Sequence, residues 1–218
     1  MMTRNLDDFQ RPDPALLARA RVLPSATIHE AMGRIGALPA ILKPVIPGMV
    51  LCGPAVTVKA KPINNINLHR AIYRARPGDV LVVDVGDGYE AGYFGEIMAH
   101  AATMCKLGGM VINGCVRDAD LLEEIGFPVF SRGLAIRGTL KEEGGGVNLP
   151  ITMGDVLVNP GDLVVGDRDG VVVVAQANIE TALGASEARE AKELAIIEDI
   201  KAGQRTLDMY GWTDGTGS

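Results

Sequence analysis

Residues 77–113 hold a strand, a helix and a second strand in succession, and they read PGDVLVVDVGDGYEAGYFGEIMAHAATMCKLGGMVIN. The apolar run Val80–Val85, interrupted only by Asp84, is typical of a strand buried on both faces. Gly92 and Gly95 precede a helical stretch, Glu96–Leu107, which ends at Gly108-Gly109. Met110–Asn113 is the second buried strand. This order predicts a mixed α/β architecture.

The chain before residue 77 predicts two helices, a loop, a strand and a third helix. Asp13-Pro14 has the pattern of an N-cap followed by proline at the first helical position. A second helix begins near Ser25, where Thr27 and Glu30 have capping-box spacing, and ends at Gly33. The remaining elements are a Gly- and Pro-rich loop over 34–53, a strand over Ala55–Lys59 and a helix over Leu68–Ala75.

The chain after residue 113 becomes rich in strands. Asp118–Ile125 reads as a short helix, Val129-Phe130 as a strand, and residues 144–174 as Val-rich strands with Gly or Asn turns. Asn178 is expected to cap a long final helix to about Ala202, and the tail Thr213–Ser218 is expected to fray. We divide the chain into an N-terminal segment with a short helix (1–24), an α/β core (25–177), and a C-terminal helix and tail (178–218).

Composition bounds the kinds of partner. The chain has 218 residues, 47% of them hydrophobic, so it can bury a real core. Its formal net charge is -6, which argues against binding to nucleic acid or to an anionic membrane. Three cysteines without a C-x-x-C pair indicate a reducing compartment. No apolar run approaches the ~18 residues of a membrane span, and no secretory leader is visible at the N-terminus. A cytoplasmic protein is the expectation.

The phrase Pro-Gly-Asp occurs twice, at 77–79 and 160–162, each time just before a strand. Two explanations are open: a true internal duplication, or favourable turn chemistry used twice, and we favour the second.

Several kinds of site are poorly supported. Asp84-Val85-Gly86-Asp87-Gly88 resembles a nucleotide-binding glycine loop, but position 90 is Glu where a third glycine is needed. His29, His69 and His100 are far apart and read as isolated helix histidines, so a Cys/His zinc site is not expected. There is no G-x-S-x-G elbow for Ser-His-Asp catalysis. A Schiff-base lysine stays open, although Lys59, Lys61 and Lys106 have no distinguishing context.

The pair Arg117-Asp118 is the strongest candidate for chemistry. It follows the apolar strand 110–113 and opens a helix, and ligand sites in α/β sheets form at such strand ends. A guanidinium can hold a carboxylate or a developing enolate oxygen, while a carboxylate can bind a hard divalent ion. A helix cap with a surface ion pair explains the same two residues equally well on spacing alone.

A wider pattern resembles a known family. Glu96, twenty further residues, and then Arg117-Asp118 resemble the D/E-x20-R-D signature of the 4-hydroxy-4-methyl-2-oxoglutarate / 4-carboxy-4-hydroxy-2-oxoadipate aldolases, a family that includes the RraA-like proteins. The similarity extends over about residues 25–210. Further phrases that carry it are 147–151 (VNLPI), 158–162 (VNPGD), 167–173 (DRDGVVV) and 207–211 (LDMYG).

The resemblance implies a fold, an activity and roles for particular residues. The fold would be a swivelling β/β/α single domain with flanking terminal helices, assembled as a trimer or a dimer of trimers with sites at subunit interfaces. The activity would be retro-aldol cleavage to pyruvate with Mg²⁺ or Mn²⁺, accompanied by oxaloacetate decarboxylation. Asp118 would bind the metal directly, Glu96 would hold metal-bound water, and Arg117 would contact the pyruvate oxygen. The backbone N–H groups of Ile97 and Met98, after Gly95, would bind the substrate carboxylate, as suits a helix N-terminus.

Glu193 is expected to complete the site from a neighbouring subunit. It lies three, four and seven residues before Ile196, Ile197 and Ile200, which puts its carboxylate on or beside an apolar helix face. The resemblance implies that an acid at this position reaches the metal's waters in the adjacent subunit. An ordinary i,i+4 pair with Arg189 is the competing explanation.

Two other functions compete with a pyruvate aldolase. One is a non-catalytic regulator of ribonuclease E, the role that named the RraA-like proteins. The other is a dedicated oxaloacetate decarboxylase, which would use the same residues because both reactions pass through a pyruvate enolate. The sequence does not identify the C4 substituents of a substrate.

Overall fold

A computed structural model of the chain describes residues 9–215. The helices are α1 (Pro14–Ala20), α2 (Ser25–Ala31), α3 (Ile66–Arg74), α4 (Glu96–Met104), α5 (Ala119–Ile125), α6 (Ile179–Lys201) and α7 (Thr206–Met209). The strands are β1 (Lys43–Pro44), β2 (Leu51–Lys59), β3 (Val80–Asp84), β4 (Gly109–Ile112), β5 (Cys115–Val116), β6 (Val129–Ser131), β7 (Gly133–Leu134), β8 (Gly146–Val147), β9 (Ile151–Met153), β10 (Val156–Val158), β11 (Leu163–Gly166) and β12 (Val171–Val174). A 3₁₀ turn, Gln176–Asn178, leads into α6. Among residues 9–215 no helix is long and apolar enough to cross a membrane.

One mixed sheet organises the molecule. Its strand order is β1-β6-β4-β3-β2-β11-β12, and β8 pairs with β2 beside this path. The pairs β2–β3, β3–β4 and β4–β6 are parallel, whereas β11 is antiparallel to both β2 and β12. Two smaller ladders, β9–β10 and β5–β7, lie outside it. The predicted α/β class is confirmed. The boundaries at 24/25 and 177/178 stay predictions.

Successive residues Val80–Val83 of the central strand β3 are all apolar because other elements cover both faces of the sheet. In β3, Leu81 and Val83 face one core cluster with α3 and α4, while Val80 and Val82 face a second cluster with β9 and β12. A third cluster packs α1, α2 and α6 onto β11 and β12. Helices on one side and the strand-rich segment on the other therefore bury the central strands, as the apolar runs predict.

The two Pro-Gly-Asp phrases form the same turn in different surroundings. Gly78 and Gly161 both have positive φ, at 87° and 90°. In each turn the aspartate carboxylate accepts the backbone N–H three residues earlier, at 2.7 Å. The strand after the first turn runs parallel to β2, and the strand after the second runs antiparallel to it. The shared feature is thus a turn, which supports the explanation by turn chemistry.

Several predicted boundaries are corrected. The proposed capping box at Thr27 and Glu30 is wrong, because α2 begins at Ser25 after Pro24 and has no local side-chain cap. Strand β2 begins at Leu51, inside the predicted loop, and the short strand β1 also lies there. Asn178 precedes α6 but makes no side-chain cap hydrogen bond. The short helix α7 was not predicted, and the predicted frayed tail extends beyond the described residues.

Candidate active site

The Arg117–Asp118 pair lies where the chain leaves β5 and enters α5. Asp118 takes the left-handed conformation, with φ 60° and ψ 42°, and its side chain does not cap its own helix. Its Oδ2 instead accepts the backbone N–H of Glu96 at 3.1 Å. This bond joins Asp118, the residue just before α5, to Glu96, the first residue of α4. The two predicted acidic residues are therefore neighbours in the fold.

Glycines make room for this pair. Gly95 is extended, and a Cβ there would collide with Asp118 Oδ2 and come within 3.0 Å of Arg117 Cγ. A Cβ at Gly92 would lie 3.0 Å from Arg117 Cδ and 2.5 Å from the carbonyl oxygen of Ala135. The close approach of the 92–95 segment to residues 117 and 118 therefore requires two positions without side chains.

Arg117 is held by its backbone, and its guanidinium is partly exposed. Its N–H donates to the carbonyl of Phe94 at 2.9 Å. Its Nε lies 3.5 Å from Asp118 Oδ2, and the two side chains are 46% and 34% exposed. An exposed pair at that distance is weak. Both groups can therefore turn to a ligand.

The predicted residues of one chain line a single cavity of about 360 Å³. Its lining includes the six that the sequence singled out in this region: Gly95, Glu96, Ile97, Met98, Arg117 and Asp118. The two predicted amides differ in availability. Met98 N–H donates to Gly95 O at 3.1 Å, whereas Ile97 N–H has no acceptor among the described residues. Of these two amides, the Ile97 N–H is thus the one available to a ligand.

Sequence reasoning missed other polar residues that line this cavity, among them Asn65, His69 and Lys141. Asn65 Nδ2 donates to the carbonyl of Tyr93 at 2.9 Å, which fixes the first residue before α3, and His69 follows one turn later. Burial lowers the pKa of His69, and the Lys141 ammonium lowers it further, so both effects favour the neutral imidazole. The i,i+4 spacing of Asn65 and His69 was a signal available in the sequence; the approach of Lys141 was not.

Glu193 lies on α6, outside the lining of this cavity. Its Oε1 accepts Arg189 Nε at 2.8 Å, the i,i+4 pair that competes with a functional role. Its side chain is 43% exposed, and Ile197 and Ile200 beside it are exposed as well. A role in a neighbouring subunit stays a prediction.

The oxygen donors of this cavity suit a divalent ion. Among residues 9–215 no group of three or more His, Cys, Asp or Glu side chains is gathered as a metal cage. Glu96 and Asp118 supply one chain's oxygen donors to the cavity. Mg²⁺ is commonly held by one or two carboxylates with several waters, and oxygen donors favour Mg²⁺ or Mn²⁺. The residues fit such an ion.

Comparisons with known proteins identify the family of this chain. The family model "RraA-like: Aldolase/RraA" matches residues 25–173. A protein of Halalkalibacterium halodurans named "Putative 4-hydroxy-4-methyl-2-oxoglutarate aldolase" is 32% identical over 85% of this chain and 90% of its own length. A crystal structure of an uncharacterized Pseudomonas syringae protein superimposes with a TM-score of 0.80, at 29% identity, over 91% of this chain and 93% of that one.

A third relative comes from Streptomyces coelicolor. The crystal structure of RraAS2, described as an unusual member of the RNase ES inhibitor RraA protein family, has a TM-score of 0.76 and 27% identity, covering 85% of this chain and 97% of that chain. These matches extend over the same core that carries Glu96, Arg117 and Asp118. The chain belongs to the RraA-like family (Aldolase/RraA).

Proposed function

We propose that the protein is a class II, divalent-metal-dependent pyruvate aldolase. It cleaves 4-hydroxy-4-methyl-2-oxoglutarate or 4-carboxy-4-hydroxy-2-oxoadipate to pyruvate plus pyruvate or oxaloacetate, and it also decarboxylates oxaloacetate. The observation that carries the proposal is the convergence of Glu96, Arg117 and Asp118 on one cavity beside the N-terminus of α4. The name of the H. halodurans relative supports this lyase chemistry.

The cavity offers complementary contacts for a 2-oxo acid. The Ile97 N–H, at the positive end of the α4 dipole, receives the substrate carboxylate. The Arg117 guanidinium holds the 2-oxo oxygen, where negative charge develops as the C3–C4 bond breaks. Asp118 and Glu96 provide the oxygen donors for the ion.

Cleavage requires a proton to leave the C4 hydroxyl and a proton to reach C3 of the departing pyruvate unit. Mg²⁺ or Mn²⁺, when bound, stabilises the charge on the 2-oxo oxygen. His69, as a neutral imidazole lining the same cavity, is suited to accept or deliver these protons. Decarboxylation of oxaloacetate breaks the bond from C3 to the carboxylate and leaves the same electron pair next to Arg117.

We also propose a homo-oligomer, a trimer or a dimer of trimers, in which Glu193 of a neighbouring subunit reaches the site. Large apolar side chains form an exposed rim near Arg117 and Asp118: Ile97 is 78% exposed, Leu134 59% and Ile136 96%. Leu134, Ala135 and Ile136 line an adjoining cavity of about 630 Å³ together with Arg117 and Asp118. A lone subunit would leave this apolar rim in water, which favours coverage by a second copy.

A regulator of a ribonuclease remains the second candidate, because the S. coelicolor relative is described in those terms. A pure inhibitor has no need of carboxylates gathered around an arginine.

The first prediction tests the activity directly. Pyruvate release from the two aldol substrates and from oxaloacetate is measured by a coupled assay, after chelation and after adding back Mg²⁺ or Mn²⁺. We expect no activity without the ion and restored activity with it. One aldol substrate should exceed oxaloacetate by about 10-fold in kcat/KM, roughly 1.4 kcal/mol.

Activity that survives exhaustive chelation, or a lysine–pyruvate adduct trapped by borohydride, would contradict the metal mechanism. Oxaloacetate as the best substrate would support a dedicated decarboxylase, and no pyruvate from any substrate would support the regulator.

A further inference from the structure

A second cavity, of about 510 Å³, lies at the carboxyl ends of β3, β4 and β6. It shares no lining residue with the Arg117–Asp118 cavity. Its lining residues are Ile41, Ile63, Asp87, Gly88, Tyr89, Glu90, Cys115, Arg132 and Arg137, and we call it the Arg132 cavity. Ligands in α/β sheets bind beyond these strand ends. The proposed aldolase chemistry uses none of these residues.

Arg132 is a cation fixed in place before any ligand arrives. Its guanidinium lies 4.0 Å above the centroid of the Tyr89 ring. Its Nη1 donates to Oδ1 of Asn113 at 2.8 Å, and Asn113 is buried at the end of β4. Stacking and one hydrogen bond orient the planar fork, and most of its N–H donors have no acceptor among residues 9–215.

The platform beneath Arg132 is itself anchored. The carbonyl of Tyr89 accepts the N–H of Cys115 at 2.9 Å. The hydroxyl of Tyr93 donates to the carbonyl of Gly88 at 2.7 Å and accepts the N–H of Ile63 at 2.6 Å. These bonds hold both walls of the Arg132 cavity, so a ligand would meet a preorganised surface.

Charges of both signs line the cavity without pairing to each other. Within residues 9–215, no ion pair joins Arg132 or Arg137 to Asp87 or Glu90. By contrast, Arg11 donates two hydrogen bonds to the Asp79 carboxylate, and Arg19 donates two to the Glu187 carboxylate. A ligand that carries one positive and one negative group could satisfy both sets of charges.

Cys115 adds a neutral thiol to this wall. Burial raises its pKa, Glu90 raises it further, and Arg132 opposes them. A raised pKa disfavours the nucleophilic thiolate, so we assign Cys115 no reactive role. Ile41, Ile63 and the Tyr89 ring supply apolar surface for the rest of a ligand.

We infer that the Arg132 cavity binds a small zwitterion, an amino acid with an apolar side chain. Its carboxylate meets the Arg132 fork, with Arg137 nearby, and its ammonium group meets Glu90. The side chain rests against Ile41 and Ile63. This site is separate from the aldolase cavity, and its occupancy does not depend on the proposed reaction.

Binding is tested with the intact full-length protein. The common amino acids are screened by ligand-observed NMR, and the best binder is carried into calorimetry beside two analogues, one without the ammonium group and one without the carboxylate. We expect an apolar amino acid to bind with a Kd below about 10 mM, and each analogue to bind about 10-fold more weakly or worse.

Variants locate the site. Arg132→Gln should weaken amino-acid binding about 10-fold or more, and Arg132→Lys should restore it only in part. Glu90→Gln, at an exposed position, should weaken the amino acid but leave the affinity for the analogue without an ammonium group unchanged. Arg117→Ala is the matched control in the other cavity and should bind the amino acid as wild type does.

Four results would overturn the inference: no amino acid that binds, a simple carboxylate that binds as tightly as the amino acid, binding lost in Arg117→Ala, or binding unaffected in Arg132→Gln and Glu90→Gln. Because Glu90→Gln changes an exposed side chain, it keeps the test valid if Arg132→Gln fails to fold.

Discussion

Single atoms decide how close the loop at residue 95 comes to the candidate catalytic pair. Gly95 faces Asp118 Oδ2 with no space for a Cβ, although its extended backbone is one that any residue adopts. A substitution at Gly95 therefore tests the effect of lost space without adding backbone strain. A methyl group there changes the site with little direct cost to folding.

Gly95→Ala is expected to push the Asp118 carboxylate out of place and to lower kcat/KM for pyruvate release about 10²-fold, the loss that a small misplacement can cause. The melting temperature should change little. Gly184→Ala, in the interior of α6 with nothing within 4 Å of the added Cβ, is the control and should keep full activity. Wild-type kinetics in Gly95→Ala would show that the carboxylate position is unimportant.

The exposed guanidinium of Arg117 leads to a second prediction at this scale. If it stabilises the developing enolate, Arg117→Ala lowers kcat about 10²-fold or more, as loss of one preorganised donor does. Arg117→Lys should rescue poorly because a point charge does not reproduce the planar fork. Steady-state kinetics on both variants decide the matter, and a near-normal kcat in the lysine variant would argue against this role.

At the scale of elements, α2 depends on a carboxylate from a distant turn. Pro24 stands before the helix and provides no cap, but Asp167, between β11 and β12, accepts the Ser25 N–H and hydroxyl, each at 2.7 Å. Burial alone would raise the pKa of Asp167; the hydrogen bonds from Ser25, Asp169 and Gly170 outweigh it and lower the pKa. Asp167 thus joins α2 to the sheet.

Asp167→Asn is expected to reduce the free energy of unfolding at pH 7 by about 1–2 kcal/mol, because the amide nitrogen of Asn cannot accept one of the two Ser25 hydrogen bonds that the carboxylate accepts. The folded-state pKa lies below the ordinary value of 3.8, so this stabilisation is present above that pH and is lost as the pH falls through the folded pKa. Denaturation across this range should show the wild type and variant converging in acid. Asp169→Asn, next but one in the chain, is the control and should behave as wild type throughout. A difference that is constant with pH would contradict the assignment.

Strand β2 illustrates what sequence can and cannot predict about elements. The strands that contain Val80 and Met110 were predictable because both faces of the sheet are buried there, which requires an unbroken apolar sequence. The first part of β2 was not, since Gly53 and Pro54 read as loop residues. Gly53 is there because the Gly78 carbonyl packs against its Cα, a contact that only the folded chain reveals.

The candidate site divides in a similar way. Glu96, Arg117 and Asp118 were predictable because they sit at element ends with a family's spacing. Lys141 was not, because it comes from a segment far along the chain and reaches the cavity only after folding, whereas the i,i+4 spacing of His69 with Asn65 was a signal left unused. Charge and burial that set the pKa of His69 exist only after folding.

At the scale of the whole molecule, exposed apolar side chains occur on several surfaces, and two of these surfaces bear on the candidate site. One is the rim formed by Ile97, Leu134 and Ile136, and the other is the outer face of α6, where Leu194 is 65% exposed and Ile197 45%. Surfaces of this kind are common at contacts between copies of a chain. Glu193 lies on the second surface, and Asp118 lies beside the first.

Mixing two inactive variants, Asp118→Ala and Glu193→Ala, tests whether these surfaces meet. If subunits exchange freely in an equal mixture, about a quarter of the sites recover both native residues, and activity should return to that extent. Glu198→Ala, exposed on the same helix, is the control and should be active alone. Glu193 is only a partner of Arg189 if its alanine variant is fully active, or if confirmed exchange restores nothing.

The left-handed backbone of Asp118 limits which residues can replace it during evolution. At φ 60° aspartate, asparagine and glycine are tolerated, whereas larger side chains, glutamate included, are strained. A lineage released from selection for the reaction would therefore settle on Asn or Gly, keeping the shape of the turn while discarding the charge. The chemically nearest replacement, Glu, is a poor intermediate on that route. In each descendant, Asp at this position would then indicate a retained catalyst, and Asn or Gly would indicate a retained fold without the reaction.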